Sequence, residues 1–207
     1  DNVRQSLSDA TAETQRMATL VDNLLLLSEL DADSRCWKLQ VDDLRIFLDQ
    51  WTVTLGSGLR GCLWVDVVDE ADDYLVQVDQ DALHSILDNL LDNSCRFCRS
   101  EPLIQIRLIR TESYVELLFI DNGPGVQSED QCVAVFDRFA RIQDHRNPEI
   151  ADGGGLGLPL VKSLMEGMGG SASCLSPQAT ASSGLNGLVV SLRFPHPKSS
   201  TGMVNSD

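Results

Sequence analysis

The sequence predicts an α+β fold, a two-layer α/β sandwich in which helices cover one face of a mixed sheet, preceded by one long α-helix. Apolar residues recur at helical spacing through residues 1–30. From about Trp37, strand and helix patterns follow one another with hairpins rather than regular strand–helix–strand alternation, which favours a mixed sheet. The 207 residues are 43% apolar and 23% charged, so one core of ordinary size is expected.

The predicted long helix has an apolar stripe that needs a covering surface. The stripe consists of Met17, Leu20, Val21, Leu24, Leu27 and Leu30. We expect a helix of a second copy to cover it, which predicts a homodimer; packing on the chain's own domain is the alternative. Residues 31–34 break the helix. The predicted organisation is therefore a helical segment 1–34, a globular domain 35–196 and a loose tail 197–207.

Periodicity and turn residues predict the elements of the globular domain. Strands are expected at about 39–41, 62–68, 74–78, 103–109, 114–120, 171–175 and 188–194. Helices are expected at about 42–55, 80–99 and 156–168. A polar, glycine-bearing stretch separates the strand that ends near Ile120 from the last helix, which Gly169-Gly170 terminates.

The charge of the chain excludes some partners. The net charge is −15 and the pI is about 4.4. Such a field repels nucleic-acid backbones and anionic membranes, so no nucleic-acid partner is expected. Uninterrupted apolar runs such as Leu24 to Leu27 are far too short to cross a bilayer. Because the sequence starts in mid-pattern without a leader, we interpret it as the cytoplasmic part of a longer protein, whose other parts would make any membrane contact.

The cysteine pattern argues against a metal or redox site. Six cysteines are present, and the close pair, Cys95 and Cys98, lies inside a predicted helix. The three histidines show no ligand spacing. Buried free thiols, as in a cytosolic protein, are the favoured interpretation.

One predicted helix has a polar face of unusual composition. Asn89, Asn93 and Arg96 stand at i, i+4 and i+7, so they share a face, while leucines on another face can pack on a sheet. Amide oxygens are suitable ligands for Mg²⁺, and a guanidinium can bind phosphate. A solvated polar face is the alternative interpretation.

Two glycine-containing segments complete the candidate site. The apolar strand 114–120 leads into Asp121-Asn122-Gly123-Pro124-Gly125, where a carboxylate can accept a hydrogen bond from an exocyclic amine such as that of adenine. Residues 152–162 place glycines before a helix, so backbone N–H groups can face a phosphate. A simple turn and a flexible surface loop are the respective alternatives. The glycines match neither a P-loop nor a dinucleotide fingerprint, since no Gly-Lys-Ser/Thr sequence follows them and a polar loop rather than a strand precedes them.

In this order the segments resemble the catalytic ATP-binding domain of bacterial sensor histidine kinases, within the gyrase, Hsp90, histidine kinase and MutL group. Residues 87–97, 121–125, 135–139 and 153–158 resemble the N box, first glycine box, F box and second glycine box, and 184–187 is a weaker match to the third. Residues 2–33 resemble the second helix of the dimerisation hairpin. The resemblance covers nearly the whole chain and implies a Bergerat-type ATP-binding fold.

The resemblance also implies the ligands, ATP and Mg²⁺, and the residues that bind them. Asn93 would hold Mg²⁺ with Asn89 beside it, and Asp121 would bind the adenine amine. The positions implied to line the nucleotide are Arg96, Phe97, Gly123, Gly125, Gly153, Gly155, Leu156, Gly157 and Leu158. Arg138 or Arg141, in a lid over about 127–153, would reach the γ-phosphate.

The implied function is that of a histidine kinase core, which transfers the γ-phosphate of Mg·ATP to a histidine for relay to a response-regulator aspartate. Hydrolytic members of the group place a glutamate four residues before the metal-binding asparagine, whereas this chain has Asn89, which cannot act as a general base. His84, His145 and His196 do not lie in the context of a phosphoacceptor. The acceptor is therefore expected outside this sequence, and the chain alone is expected not to phosphorylate itself.

Two alternatives stay open at this point. The first is a degenerate kinase domain that acts as a nucleotide-binding or interaction module on a partner kinase. Leu188, where the third glycine box often has a hydroxyl residue, slightly favours it. The second is a serine/threonine kinase of the anti-sigma type, which shares the nucleotide fold, and the long N-terminal helix argues against it.

Overall fold

The described part of the chain begins with a long helix and continues as a mixed α/β domain. The computed structural model describes residues 2–32, 34–56, 62–67, 73–98, 101–140, 154–175 and 184–197. Its helices are α1 (Asn2–Asp31), α2 (Leu44–Thr54), α3 (Gln80–Phe97), α4 (Glu129–Ala134) and α5 (Gly157–Gly167). Its strands are β1 (Gln40–Asp43), β2 (Leu63–Val67), β3 (Leu75–Val78), β4 (Ile104–Arg110), β5 (Tyr114–Asp121), β6 (Ser171–Leu175) and β7 (Val189–Pro195). Among these helices, none has the length and apolar character that a membrane span needs.

Five of the described strands form the mixed sheet that the sequence predicted. The strand order is β2-β4-β5-β7-β6, with β2 and β4 parallel and the other neighbours antiparallel. Strands β1 and β3 pair with each other in a separate two-stranded antiparallel sheet, with Gln40 opposite Val78. The predicted α+β class is confirmed, and two of the expected strands belong to a second, smaller sheet.

The two faces of the main sheet differ in their side chains, which explains the alternating pattern of β5. Leu117 and Phe119 belong to the main hydrophobic core together with apolar residues of α3 and α5. On the opposite face, Glu116 accepts hydrogen bonds from Ser191 Oγ at 2.5 Å and from Arg193 Nε at 2.9 Å. The small apolar cluster on that side includes no helical residue among those described. Helices therefore cover one face, as expected for a two-layer sandwich.

Helix α1 packs partly on the chain's own domain. Leu27 is buried in the main core with 1% of its surface exposed, and three further leucines of α1 pack at the edge of this core. Met17, Val21 and Leu24 keep 61%, 54% and 45% of their surfaces exposed. The predicted stripe is therefore divided, with one side covered by the domain and the other open. Homodimer formation through the open side stays a prediction.

Asp79 fixes the start of α3 and joins it to the segment after α1. Its carboxylate accepts hydrogen bonds from the N–H groups of Ala82 at 3.1 Å and Lys38 at 3.0 Å, and it lies 3.7 Å from the Arg35 guanidinium. Burial alone would raise the pKa of Asp79, but these N–H donors and the guanidinium hold it below its ordinary value. The helix with the polar face is thus anchored by an aspartate N-cap.

The interpretation of the cysteines as buried free thiols is wrong in two respects. Cys132 of α4 and Cys174 of β6 form a disulfide, with their Cα atoms 5.1 Å apart. Among the free cysteines, Cys36 and Cys95 are exposed, and Cys62 and Cys98 are half-buried. The core therefore encloses none of these four. Sequence spacing gave no sign of the disulfide, because its two cysteines are 42 positions apart.

Candidate functional site

Asp121 is a buried and tightly held carboxylate. It lies at the end of β5 with 5% of its surface exposed. Its Oδ1 accepts hydrogen bonds from the backbone N–H groups of Gly123 and Leu188, both at 2.8 Å, and its Oδ2 accepts one from Ser94 Oγ at 3.0 Å. Three segments of the chain therefore hold this carboxylate at the strand end, where the sequence predicted an amine-binding group.

The electrostatic environment of Asp121 combines burial with strong hydrogen bonding. Burial raises the pKa of Asp121 above its ordinary value, and the donors Gly123, Leu188 and Ser94 oppose this increase without cancelling it. A carboxylate offers about four lone-pair sites. Because Oδ1 has two donors and Oδ2 has one, Oδ2 retains capacity for an external N–H group.

Three glycines shape the backbone around Asp121. A Cβ on Gly123 would lie 3.0 Å from Asp121 Oδ1. Gly125 has a φ of +62°, and a Cβ there would lie 2.8 Å from the Gly187 carbonyl oxygen. A Cβ on Gly187 would collide with the carboxylate itself, and the Gly187 N–H donates to the Asp121 carbonyl at 2.9 Å. The segment 184–187, the weakest match in the sequence, is thus in direct contact with Asp121.

The polar face of α3 meets the N-terminus of α5. Asn89 and Asn93 are half-buried. A Cβ on Gly157, the first residue of α5, would lie 3.1 Å from Asn89 Oδ1 and 3.2 Å from Asn93 Nδ2. Asn23 of α1 also reaches this face, with its Nδ2 3.5 Å from Asn89 Oδ1. The structure therefore brings the amide pair and the glycine-rich segment together, although they are distant in sequence.

The remaining residues predicted to bind the nucleotide are close in sequence to Asn93 or to Gly157. Arg96 and Phe97 have exposed side chains in the last turn of α3, and 37% of the Phe97 surface is accessible. Gly155 has a φ of +63°, a conformation that glycine adopts without strain. Leu156, at the N-cap of α5, is buried and makes no side-chain capping bond, and Leu158 follows half-buried. Within the described residues, the first N–H groups of α5 thus have no side-chain cap, which leaves them available to an anion.

Arg138 contacts the long helix in this structure. Its Nη2 lies 2.6 Å from Asp31 Oδ1, and about half of each side chain is exposed. The hydrogen bond from Arg138 lowers the pKa of Asp31. Arg138 is therefore paired with the end of α1, whereas the family resemblance implied that Arg138 or Arg141 would reach the γ-phosphate. The other two predicted positions, Arg141 and Gly153, lie outside the described residues.

A cavity of about 290 Å³ opens where the end of α1 meets α5. It is lined by Leu30, Asp31, Arg35, Trp37, Ser163, Glu166 and Gly167. None of the predicted nucleotide residues lines it, and it places two carboxylates beside one guanidinium. Since two carboxylates repel phosphates, we assign this cavity no part in nucleotide binding.

Sequence reasoning missed Ser94, Asn23 and the backbone contribution of Leu188. A serine on the buried side of a helix commonly bonds the carbonyl four residues earlier, and Ser94 Oγ does lie 3.1 Å from the Leu90 carbonyl oxygen. Its second contact, with Asp121, leaves no signal in the sequence. The apolar side chain of Leu188 departs from the family pattern, but Leu188 contributes to the site through its backbone N–H group, which donates to Asp121 Oδ1.

Comparisons with known proteins show the family and the fold of the chain. Residues 78–198 match a family described as histidine kinase-, DNA gyrase B-, and HSP90-like ATPase. The probable sensor histidine kinase TcrY of Mycobacterium tuberculosis is 30% identical over 174 residues, which cover 84% of this chain and 36% of TcrY. The chain thus spans about a third of the length of that relative.

Two solved structures share the fold. The histidine kinase AdeS of Acinetobacter baumannii has a TM-score of 0.67 at 16% identity, with 91% of this chain and 83% of that chain covered. The histidine kinase ThkA, solved in complex with the response regulator protein TrrA, has a TM-score of 0.67 at 16% identity, with 95% of this chain and 52% of that chain covered. At these identities the likeness shows the fold alone, and it extends over more than nine tenths of the chain.

Proposed function

Because the chain belongs to the family of histidine kinase-, DNA gyrase B- and HSP90-like ATPases, as a histidine kinase catalytic ATP-binding domain, we propose that it binds Mg·ATP and transfers the γ-phosphate to a histidine outside this sequence. That histidine would lie on a first dimerisation helix and pass the phosphate to a response-regulator aspartate. In this proposal residues 1–34 form the second dimerisation helix of a homodimer, 35–196 the ATP-binding domain and 197–207 a tail. The chain would act in the cytoplasm, and any membrane contact would be made by other parts of its parent protein.

The observation that best supports a nucleotide site is the Asp121 carboxylate, which is buried and held by three donors at a strand end. A carboxylate accepts a hydrogen bond from the 6-amino group of adenine, and it repels the carbonyl oxygen that guanine has at the same position. Gly123 and Gly125 allow a flat ring to approach the backbone closely. These features support an adenine nucleotide as the ligand.

The junction of α3 and α5 fits the phosphates and the metal ion. Asn89 and Asn93 offer neutral amide oxygens, and Mg²⁺ takes few protein ligands while it keeps most of its water. Helix α5 begins at Gly157, where no described side chain caps it, and its dipole favours anions at this end. When bound, Mg²⁺ would neutralise phosphate charge, which a chain of net charge −15 otherwise repels.

The side chains of α3 favour transfer to an imidazole over hydrolysis. Asn89 cannot accept a proton, so it cannot activate water. The neighbouring carboxylate, Asp88, accepts a hydrogen bond from Trp51 Nε1 of α2 at 2.9 Å and is therefore engaged elsewhere. In the transfer step a neutral imidazole nitrogen would attack the γ-phosphorus. A P–N bond forms as the P–O bond to the leaving ADP breaks, and the imidazole proton passes to solvent.

Nucleotide binding can be tested on the chain itself. In calorimetry the chain should bind Mg·ATP, and Asp121→Asn and Asn93→Ala should each weaken binding by about tenfold or more, which is roughly 1.4 kcal/mol. Two exposed residues provide matched controls, because Glu112→Gln removes a carboxylate and Gln50→Ala removes an amide away from the site. Failure of the wild-type chain to bind Mg·ATP would contradict the proposal and leave an interaction module.

Phosphotransfer is tested with the longer parent protein that includes the upstream helix. Mg·ATP labelled at the γ-phosphate should give an acid-labile, base-stable phosphohistidine, and the label should move to a receiver domain. The response-regulator partner is supported by ThkA, which was solved in complex with TrrA. Acid-stable label on serine or threonine would support a kinase of the anti-sigma type instead. Normal nucleotide binding without any label would support the degenerate module.

A further inference from the structure

We propose that Ser94 is a positioning residue for adenine recognition, acting through Asp121; this inference rests on the nucleotide-binding function proposed above. Ser94 lies on the buried side of α3, next to Asn93, with 1% of its surface exposed. Its hydroxyl connects α3 to the end of β5. Within the described ranges, Ser94 is the one side chain that donates a hydrogen bond to the Asp121 carboxylate.

The single hydroxyl proton of Ser94 has two acceptors within reach. Oγ lies 3.0 Å from Asp121 Oδ2 and 3.1 Å from the Leu90 carbonyl oxygen. A hydrogen bond to a charged acceptor is roughly twice as strong as one between neutral groups. The proton is therefore directed to the carboxylate whenever Asp121 is ionised.

The two oxygens of the Asp121 carboxylate have different kinds of partner. Oδ1 is held by the backbone N–H groups of Gly123 and Leu188, which a side-chain substitution does not remove. Oδ2 is held by the Ser94 hydroxyl, and it is also the oxygen with capacity for the base. Position 188 has a leucine, so its side chain supplies no second hydroxyl. Ser94 thus controls the direction and the charge of the oxygen that meets adenine.

Loss of the Ser94 hydroxyl should change how Asp121 titrates. Burial raises the pKa of this carboxyl, and the hydroxyl is one of the groups that oppose the increase. Without it the pKa should rise further, so Asp121 would become protonated at a higher pH than in the wild-type chain. A protonated carboxyl can donate to a base carbonyl, whereas an ionised one can only accept. The preference for a 6-amino purine over a 6-oxo purine should therefore narrow.

The test compares Ser94→Ala, Ser94→Thr and Ser85→Ala with the wild-type chain by calorimetry, with Mg·ATP and Mg·ITP, from mildly acidic to neutral pH. Ser85 is a matched control on the same helix, because its hydroxyl bonds the Asp81 carbonyl four residues earlier and not the Asp121 carboxylate. Ser94→Ala should weaken ATP binding roughly 10- to 100-fold, move its pH midpoint upward and lower the ATP-to-ITP affinity ratio. Ser94→Thr, which keeps the hydroxyl, should recover much of each effect, and Ser85→Ala should show none.

A second measurement does not depend on nucleotide binding. An NMR titration of the Asp121 carboxyl carbon in the nucleotide-free chain should give a higher pKa in Ser94→Ala than in wild type. Equal pKa values with equal ATP affinity would overturn the role of Ser94. An equal loss of affinity for both nucleotides with an unchanged pH profile would also overturn it, since this indicates structural damage. Failure of the wild-type chain to bind ATP would refute the proposed function and leave the titration as the test of Ser94.

Discussion

Reduction of the disulfide between Cys132 and Cys174 should destabilise the fold substantially. The bond joins α4 to the edge strand β6, and its cysteines are 42 positions apart. In the chain-entropy relation, closing a loop of this length removes roughly 13 cal/mol/K from the unfolded state, or about 4 kcal/mol at 25 °C. Native domains are stable by only about 5–15 kcal/mol. In the oxidised chain the bond would therefore contribute a large part of the free energy of unfolding, whereas the reducing cytoplasm proposed above would remove this contribution.

Urea unfolding followed by tryptophan fluorescence measures this contribution. Reductant should lower the unfolding midpoint of the wild-type chain and steepen the transition, because an unfolded chain without the cross-link exposes more surface. Cys174→Ser should unfold like the reduced protein and should not respond to reductant. Cys36→Ser, which removes an exposed free thiol, should behave like wild type. Equal midpoints with and without reductant, or an undiminished response in Cys174→Ser, would refute the reasoning.

Two further predictions concern the site and acid stability. Gly157→Ala should weaken Mg·ATP binding about tenfold, because the new Cβ would displace the two α3 amides, whose nearest atoms lie 3.1 and 3.2 Å from it. The free energy of unfolding of this variant should change by no more than about 1 kcal/mol. Calorimetry measures its ATP affinity and urea unfolding its stability. Unchanged ATP binding would count against the α3–α5 junction as the phosphate site. Asp79→Asn should make the free energy of unfolding less dependent on pH in acid solution. The pKa of Asp79 is lower in the folded than in the unfolded chain. The ionised carboxylate therefore stabilises the fold fully above the unfolded-state pKa, and this stabilisation is lost as the pH falls through the folded-state pKa. Urea unfolding from neutral to strongly acid pH compares the two proteins, and parallel stability curves would contradict this sign.

The local elements could be predicted because their signals lie within a few neighbouring residues. The strand expected at 171–175 is β6, and the helix expected at 80–99 is α3, which ends two residues earlier at Phe97. Helix α4 was missed, although Ser128 caps it by accepting a hydrogen bond from the Gln131 N–H. Its six residues are too few for an apolar period to stand out from a polar loop.

Contacts between distant segments could not be predicted, because a pattern shows which face is buried but not what covers it. Leu27 and Val21 belong to the same predicted stripe of α1, yet packing on the domain leaves one 1% exposed and the other 54% exposed. The contact between Asp31 and Arg138 joins residues 107 positions apart. Each is a consequence of how α1 rests on the domain, which the periodicity of α1 alone does not determine.

In the candidate site too, local signals were visible in the sequence and contacts between distant segments were not. Two of these contacts bear on the degenerate-module alternative. That alternative drew on Leu188, whose side chain has no hydroxyl. In the structure the Leu188 N–H donates to Asp121 Oδ1 at 2.8 Å, and Ser94 provides a hydroxyl to Oδ2 at 3.0 Å, so the carboxylate is supported without a hydroxyl at position 188. A buried carboxylate with a raised pKa also costs stability at neutral pH. Such a cost is typical of binding sites, and the adenine amine that we propose as the partner of Asp121 Oδ2 would offset it.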